Sequence, residues 1–156
     1  RYFNIAGSSP SGKIGLINKS DHLFKNFSRE IIKKRPILKI YGDNYDTKDG
    51  SCIRDFIHVS DIAEIHYKVL EKINNLNNSK ILNCGYNKGI SVLEVAKVFK
   101  NQSSKKVEIL VSKRRKGDLV KIIASNKKLK KFIKWKPKFN NLNTIVKSCI
   151  SWEKRQ

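Results

Sequence analysis

Two arginine-bearing segments hold the residue types best suited to gripping a phosphorylated ligand. The first is Asp49-Gly50-Ser51-Cys52-Ile53-Arg54-Asp55-Phe56-Ile57-His58-Val59. A glycine turn leads into an extended run in which Arg54 is flanked by apolar residues. A guanidinium at the mouth of such a strand presents a planar fork that can pair two phosphate oxygens at once. The competing arrangement is a local pair with a carboxylate such as Asp55. The second segment is Lys113-Arg114-Arg115-Lys116-Gly117-Asp118. Four consecutive cations need an anion or open water, so it reads either as an anion site or as a solvated basic loop. The Gly-Asp that closes it adds a turn carboxylate able to accept hydrogen bonds from ribose or sugar hydroxyls. Groups that would react with such a ligand do not stand out. There is no G-x-G-x-x-G turn, no Ser/His/Asp triad and no carboxylate pair. His58 and His66 read as structural, Trp135 and Trp152 as packing residues. The chain has the look of half of something: a grip without an engine.

The elements that must carry these segments alternate between strand and helix. Tyr2 to Ile5 is strand-like, residues 6–20 are a Gly/Ser/Pro/Asn loop, and Leu23, Phe24, Phe27, Ile31 and Ile32 share one helical stripe that Pro36 ends. Leu38 to Tyr41 and Ile53 to Val59 read as strands. Asp61 with Glu64, and later Ser91 with Glu94, have capping-box spacing and open two helices. Asn-rich residues 74–79 end the first. Lys80 to Cys84 and Val107 to Val111 are further strands, Lys127 to Ile133 a short helix, and Leu142 to Trp152 a final amphipathic one. The pattern predicts an α/β fold in one region spanning 1–156.

Bulk properties narrow the partners. The formal charge is +21, which favours polyanions and raises nucleic acid as a rival. However, 27 of the 34 basic residues are lysine, and no aromatics interleave them at a stacking period. A solvated lysine-rich surface is therefore the expectation, with no nucleic-acid partner. Cys52, Cys84 and Cys149 form no C-x-x-C pair and the histidines do not join them, so reduced thiols and no metal site are expected. No apolar run approaches the roughly 18 residues of a membrane span. The opening Arg1-Tyr2-Phe3-Asn4 is not a basic segment followed by an apolar one, and a cytoplasmic location with no membrane partner is expected. The chain has no methionine and opens inside a strand-like run. Its natural start is therefore expected upstream.

Read together, the segments resemble the UDP-glucose 4-epimerases of the extended short-chain dehydrogenase/reductase superfamily, from Arg1 to about Glu153. Arg1 to Gly7 resembles the R-Y-F-N-x-x-G strand, Gly12-Lys13-Ile14-Gly15 the G-x-x-G loop, and His22-Leu23 the H-L-I-P helix start. Ile40 to Gly50 matches I-[FY]-G-D-x-Y-x-T-x-D-G and continues into Ser51 to Asp61, the most specific stretch. Asn83, Gly85, Gly89, Ser91 and Val92 are similar to N-x-G-x-x-x-G-x-S-V, Arg114 to Asp118 to R-R-x-G-D, and Trp135-Lys136-Pro137 to W-x-P.

The resemblance implies the C-terminal substrate-binding region of such an enzyme, with the last strands of a Rossmann sheet. Residues of about 1–7 and 80–100 would pack with an NAD-binding part upstream. It implies that Asn4 bonds a UDP-sugar, His22 and Leu23 line its pocket, Lys39 and Tyr41 border the uracil, Arg54 and Arg115 clamp the diphosphate, and Asp118 accepts from the ribose. Tyr2 and Phe3 would lie beside the nicotinamide of NAD. The glycine-rich cofactor turn and a catalytic Tyr-x-x-x-Lys pair are expected upstream of Arg1, as are most contacts of a homodimer. The sequence departs from the family at Phe24-Lys25, where an apolar residue and Pro are common. Phe56 replaces a usual Tyr, Ser125 a usual Asp and Lys134 a usual Gly. Ile122 falls near a position that influences whether N-acetylated hexoses fit.

Overall fold

The computed structural model describes residues 1–17, 21–75 and 78–156. The ends of the expected 6–20 loop and the middle of the 74–79 segment lie outside the described residues. The elements run β1 (Asn4–Ala6), α1 (Leu23–Ile32), β2 (Ile37–Tyr41), β3 (Ile53–Arg54), β4 (Phe56–His58), α2 (Val59–Leu70), a 3-10 turn (Ile73–Asn75), β5 (Ile90–Ser91), α3 (Val92–Asn101), β6 (Glu108–Ser112), β7 (Lys121–Ile122), α4 (Lys127–Phe132) and α5 (Leu142–Glu153). The fold is α/β, as the alternation predicts. β1 and β4 pair in parallel, as do β2 and β6, while β3 lies between antiparallel β5 and parallel β7.

The expected strand 53–59 is cut in two. Asp55 separates β3 from β4, and each piece joins a different sheet. Beyond the cut, successive side chains of β4 point to opposite faces. Phe56 enters the larger core and Ile57 the smaller one. The larger core gathers the α1 stripe around aromatic edges: Phe24 meets Phe56 at 5.0 Å and Phe99 at 5.6 Å, and Phe27 meets Phe99 at 5.5 Å between ring centres. Such contacts add to the burial of apolar area. Leu38 and Ile40 of β2 and Ile145, Val146 and Ile150 of α5 complete it. Ile32, expected on the same stripe, is exposed. The smaller core packs Ile57, Ile62 and Ile65 against Leu129, Ile133 and Trp135.

Other expected boundaries move for reasons visible in the hydrogen bonds. α2 begins at Val59, and His58 caps it by accepting from the Ser60 amide at 3.1 Å. Asp61, expected to cap, is instead fully buried and accepts from the amides of Lys138 and Phe139, both at 3.0 Å, and from the Tyr86 hydroxyl. Ser91 does cap α3, accepting from the Glu94 amide at 3.0 Å. The expected strand 80–84 is reduced to a single bridge between Tyr2 and Cys84, held by Phe3 N–H to Cys84 O and Cys84 N–H to Arg1 O, with the Arg1 terminal ammonium donating to the Leu82 carbonyl. All three cysteines are free and buried. Among the described residues no helix is long and apolar enough to cross a membrane.

His58 is 1% exposed, and burial pushes its imidazole below the usual 6.5, with the Asp61 carboxylate opposing the shift. An unfolded chain takes up a proton near pH 6.5 that the folded chain refuses. Stability is therefore full above that pH and falls below it, by up to about 1.4 kcal/mol per pH unit for one such group. Thermal melts between pH 7.5 and 5.5 should show this loss. His58→Asn, which keeps a capping acceptor, should lose less over the same range.

Candidate nucleotide-sugar site

A cavity of about 480 Å³ has among its walls Asn4, His22, Leu23, Lys39, Tyr41, Arg54, Arg115 and Asp118. All eight binding residues named from sequence thus surround one space. They reach it from five separate stretches of chain, which is why no local motif reveals the cavity.

β2 presents Lys39 and Tyr41 by strand alternation, since Leu38 and Ile40 occupy the core face. The Arg115 guanidinium lies 3.9 Å from the centre of the Tyr41 ring and the Lys39 ammonium 5.3 Å away. Tyr41 is therefore a cation-bearing aromatic plate. Arg54 donates to the carbonyls of Ile53 at 2.9 Å and Leu119 at 2.7 Å, and its other terminal nitrogen is 3.5 Å from Asp118. It does not pair with Asp55. The two neighbouring arginines of the basic loop do different things. Arg114 turns away from the cavity, stacks 3.9 Å from the Tyr45 ring centre and donates to the side chain and carbonyl of Asn44. Arg115 lines the cavity. The basic loop is thus tied down at Arg114 and Asp118 rather than freely solvated.

On the far side, the Asn4 amide and backbone N–H both donate to the Asp55 carbonyl at 3.2 Å. His22 is the residue before α1, yet its side chain makes no capping bond. Its Nδ1 is buried without a partner. Burial lowers the imidazole below 6.5, partly offset by a hydrogen bond to the Ile5 backbone, so the ring is neutral at pH 7. A buried polar atom without a partner is rare in folded proteins and marks a place where a ligand could supply one.

A second cavity of about 570 Å³ shares Asn4 and His22 with the first and is lined by Phe3. Tyr2 stands beside it in sequence with its ring 60% exposed and 5.9 Å from that of His66. The second cavity also meets Lys25, whose ammonium pairs with Glu153 at 2.7 Å, both side chains under a tenth exposed. The Lys25 that departs from the family pattern is therefore answered by an acid on α5. Sequence reading missed Asn26 and Glu30, which line the first cavity with His22. Their i, i+4, i+8 spacing on a helix was the available signal. Ile122 lies in β7 opposite Arg54 and is not among the lining residues.

With this geometry in view, the class can be stated: the chain belongs to the NAD dependent epimerase/dehydratase family, whose model matches residues 1–85. Within it, the chain is similar to the UDP-glucose 4-epimerase of Azospirillum brasilense, 39% identical over 155 residues that cover 99% of this chain and 44% of the relative. It is also similar to the structure of the UDP-Glc/GlcNAc 4-epimerase of Campylobacter jejuni, at 39% identity and a TM-score of 0.80 over 100% of this chain and 47% of that one. The UDP-glucose-4-epimerase of Stenotrophomonas maltophila, solved with bound NAD and formylated UDP-arabinopyranose, superposes with a TM-score of 0.92 at 29% identity, covering 99% of this chain and 46% of that one. The chain spans about half the length of the curated relatives it matches.

The Lys25–Glu153 pair yields a stability test. Glu153→Ala leaves a buried ammonium unpaired and should cost about 3–5 kcal/mol, whereas replacing both partners by apolar residues of similar volume (Lys25→Met with Glu153→Leu) should be near neutral or stabilising. Chemical denaturation of the single and double variants would measure both.

Proposed function

We propose that this chain is the nucleotide-sugar-holding part of an NAD-dependent UDP-glucose 4-epimerase, interconverting UDP-glucose and UDP-galactose through a 4-keto intermediate, and that it works only joined to an NAD-binding part. The observation that supports this best is the convergence of Arg54, Arg115, Asp118, Asn4 and His22 on one cavity.

In this reading Arg54 and Arg115 hold the diphosphate, one from each side of the cavity, by charge-assisted hydrogen bonds. Tyr41 and Lys39 border the uracil, Asp118 accepts from the ribose, and His22 and Leu23 line the wall. Asn4 faces the hexose with a carboxamide already oriented by the Asp55 carbonyl. A firm hold on UDP and few contacts to the hexose allow the sugar to turn over while its anchor stays still. The second cavity fits the nicotinamide end of the cofactor: it opens from the first at Asn4 and His22, Phe3 lines it, and the exposed Tyr2 ring is close by in the chain. When bound, NAD supplies hydride acceptance and return at C4 of the sugar. Removal of the C4 hydroxyl proton falls to a Tyr-x-x-x-Lys pair on the NAD-binding part, which would also make the homodimer contacts.

A second reading is an epimerase that also takes N-acetylated hexoses or UDP-pentoses. The 39% identity to the UDP-Glc/GlcNAc enzyme supports it as much as the equal identity to the Azospirillum brasilense enzyme supports the first. Substrate profiling of the parent enzyme, the chain joined to its NAD-binding part, separates the two.

The parent enzyme should epimerise UDP-glucose, and the 156 residues alone should show no turnover. Arg54→Ala and Arg115→Ala in the parent should each weaken UDP-sugar binding by about 1.5–3 kcal/mol, the range for hydrogen bonds to charged groups. Calorimetry with UDP measures this, and unchanged affinity in both variants would remove the clamp.

A further inference from the structure

Asp55 is fully buried, and among the described residues no cation pairs with it. The adjacent Arg54 turns to Asp118 and to the Leu119 carbonyl instead. The Asp55 carboxylate is satisfied by backbone N–H groups alone: Tyr86 at 3.0 Å, Asn87 at 2.9 Å and Ala124 at 3.2 Å. Two of these donors are consecutive. They enter a turn in which Asn87 adopts a left-handed conformation, with φ of 58°. Successive amides in such a turn form a concave anion receptor, or nest, and here the anion is part of the chain. Gly85 lies against it so closely that a Cβ would sit 2.8 Å from the Asp55 carboxylate and 2.5 Å from the Ala124 Cβ. Burial pushes the Asp55 carboxyl upward, and the surrounding N–H bonds pull against that shift.

The same residue touches the segments that carry Asn4 and Arg54 and the stretch that follows Asp118, though not β2 with its Lys39 and Tyr41. Its carbonyl receives both donors of Asn4. Its own backbone is the break between Arg54 and Phe56. Its carboxylate holds Ala124, just beyond β7, and β7 pairs with Arg54 and follows the Asp118–Val120 stretch.

We propose that Asp55 is a positioning residue for the substrate cavity: through the amide nest at 86–87, the Ala124 amide and the Asn4 side chain, it fixes Asn4, Arg54 and Asp118 relative to one another without touching the ligand. This rests on the function proposed above. A neutral amide at the same position presents N–H groups to N–H groups on one side. The 86–87 turn and Ala124 would then lose their anchor, while the carbonyl bond to Asn4 and every ligand-contacting residue stay in the chain.

The experiment uses Asp55→Asn in the parent enzyme, with Leu129→Ala in the smaller core as a control that destabilises without approaching the cavity. Asp55→Asn should raise KM and the Kd for UDP by about tenfold or more, since small misplacements of positioning groups have effects of that order. Its kcat at saturating substrate should change far less. Leu129→Ala should leave both constants within about twofold, because it removes no hydrogen bond to the Asp55 carboxylate. Hydrogen exchange at residues 84–88 and 118–124 should quicken in Asp55→Asn and not in the control. If Asp55→Asn does not fold, Gly85→Ala, which crowds the carboxylate without removing it, carries the test. Wild-type UDP affinity in the folded variant, or equal affinity loss in Leu129→Ala, overturns the proposal, and so does failure of both Asp55→Asn and Gly85→Ala to fold, which would make the role architectural only. If the unmodified parent does not bind UDP, the proposed function fails, and the exchange measurement still decides whether Asp55 orders the three segments.

Discussion

A carboxylate buried among amides, paired with no cation among the described residues, organises this chain. An ionised group in such a place carries a heavy desolvation penalty unless hydrogen bonds replace the lost water. The Asp55 carboxylate draws its donors from the turn at 86–87 and from Ala124, while its carbonyl serves Asn4. The cost of burying it is met only when all of these segments are in place, so their arrangement is cooperative. The break between β3 and β4 follows from the same demand, as does the division of the interior into two cores on either face of β4.

The cavity wall is built on the opposite logic. Its charged groups are not sealed off, and they lean on neighbours that hold their direction while leaving them exposed. Arg115 rests on the Tyr41 ring, Arg114 on Tyr45, and Arg54 on two carbonyls and Asp118. Three of the chain's 7 arginines serve this wall or the loop that forms it, whereas the lysines are mostly solvent-facing. That division fits the rigid, stackable fork of arginine and the flexible point charge of lysine.

The longer helices are legible in the sequence because their apolar residues repeat at helical spacing over about three turns, and Ser91 with Glu94 marks a start that the backbone follows. Asp61 carries the same spacing yet does not cap, because its carboxylate is wanted by Tyr86 and by the amides at 138–139, which lie far away in sequence. β5 and β7 escape notice since two residues carry no period. The cut at Asp55 is invisible for another reason: its neighbours Ile53, Phe56, Ile57 and Val59 are of the types that favour strands, and only distant amides decide otherwise. The site residues themselves come from the family resemblance. Arg54 and the 113–118 loop are the part that residue chemistry finds unaided. Asn26 and Glu30 are polar residues on a helix read only for its apolar face.

The lysine-rich surface has a kinetic meaning once a cavity lined with arginine is set within it. A protein of formal charge +21 surrounds itself with a field that draws diphosphates inward from beyond contact range, and salt shortens that range to about 8 Å at physiological ionic strength. Under the epimerisation proposed above, which only inverts one carbon centre, the molecule that arrives and the one that departs carry identical charge. The field therefore hastens capture and slows escape to the same degree in both directions. It shifts no equilibrium, and the burden of telling one sugar from its epimer is left to the uncharged contacts around Asn4.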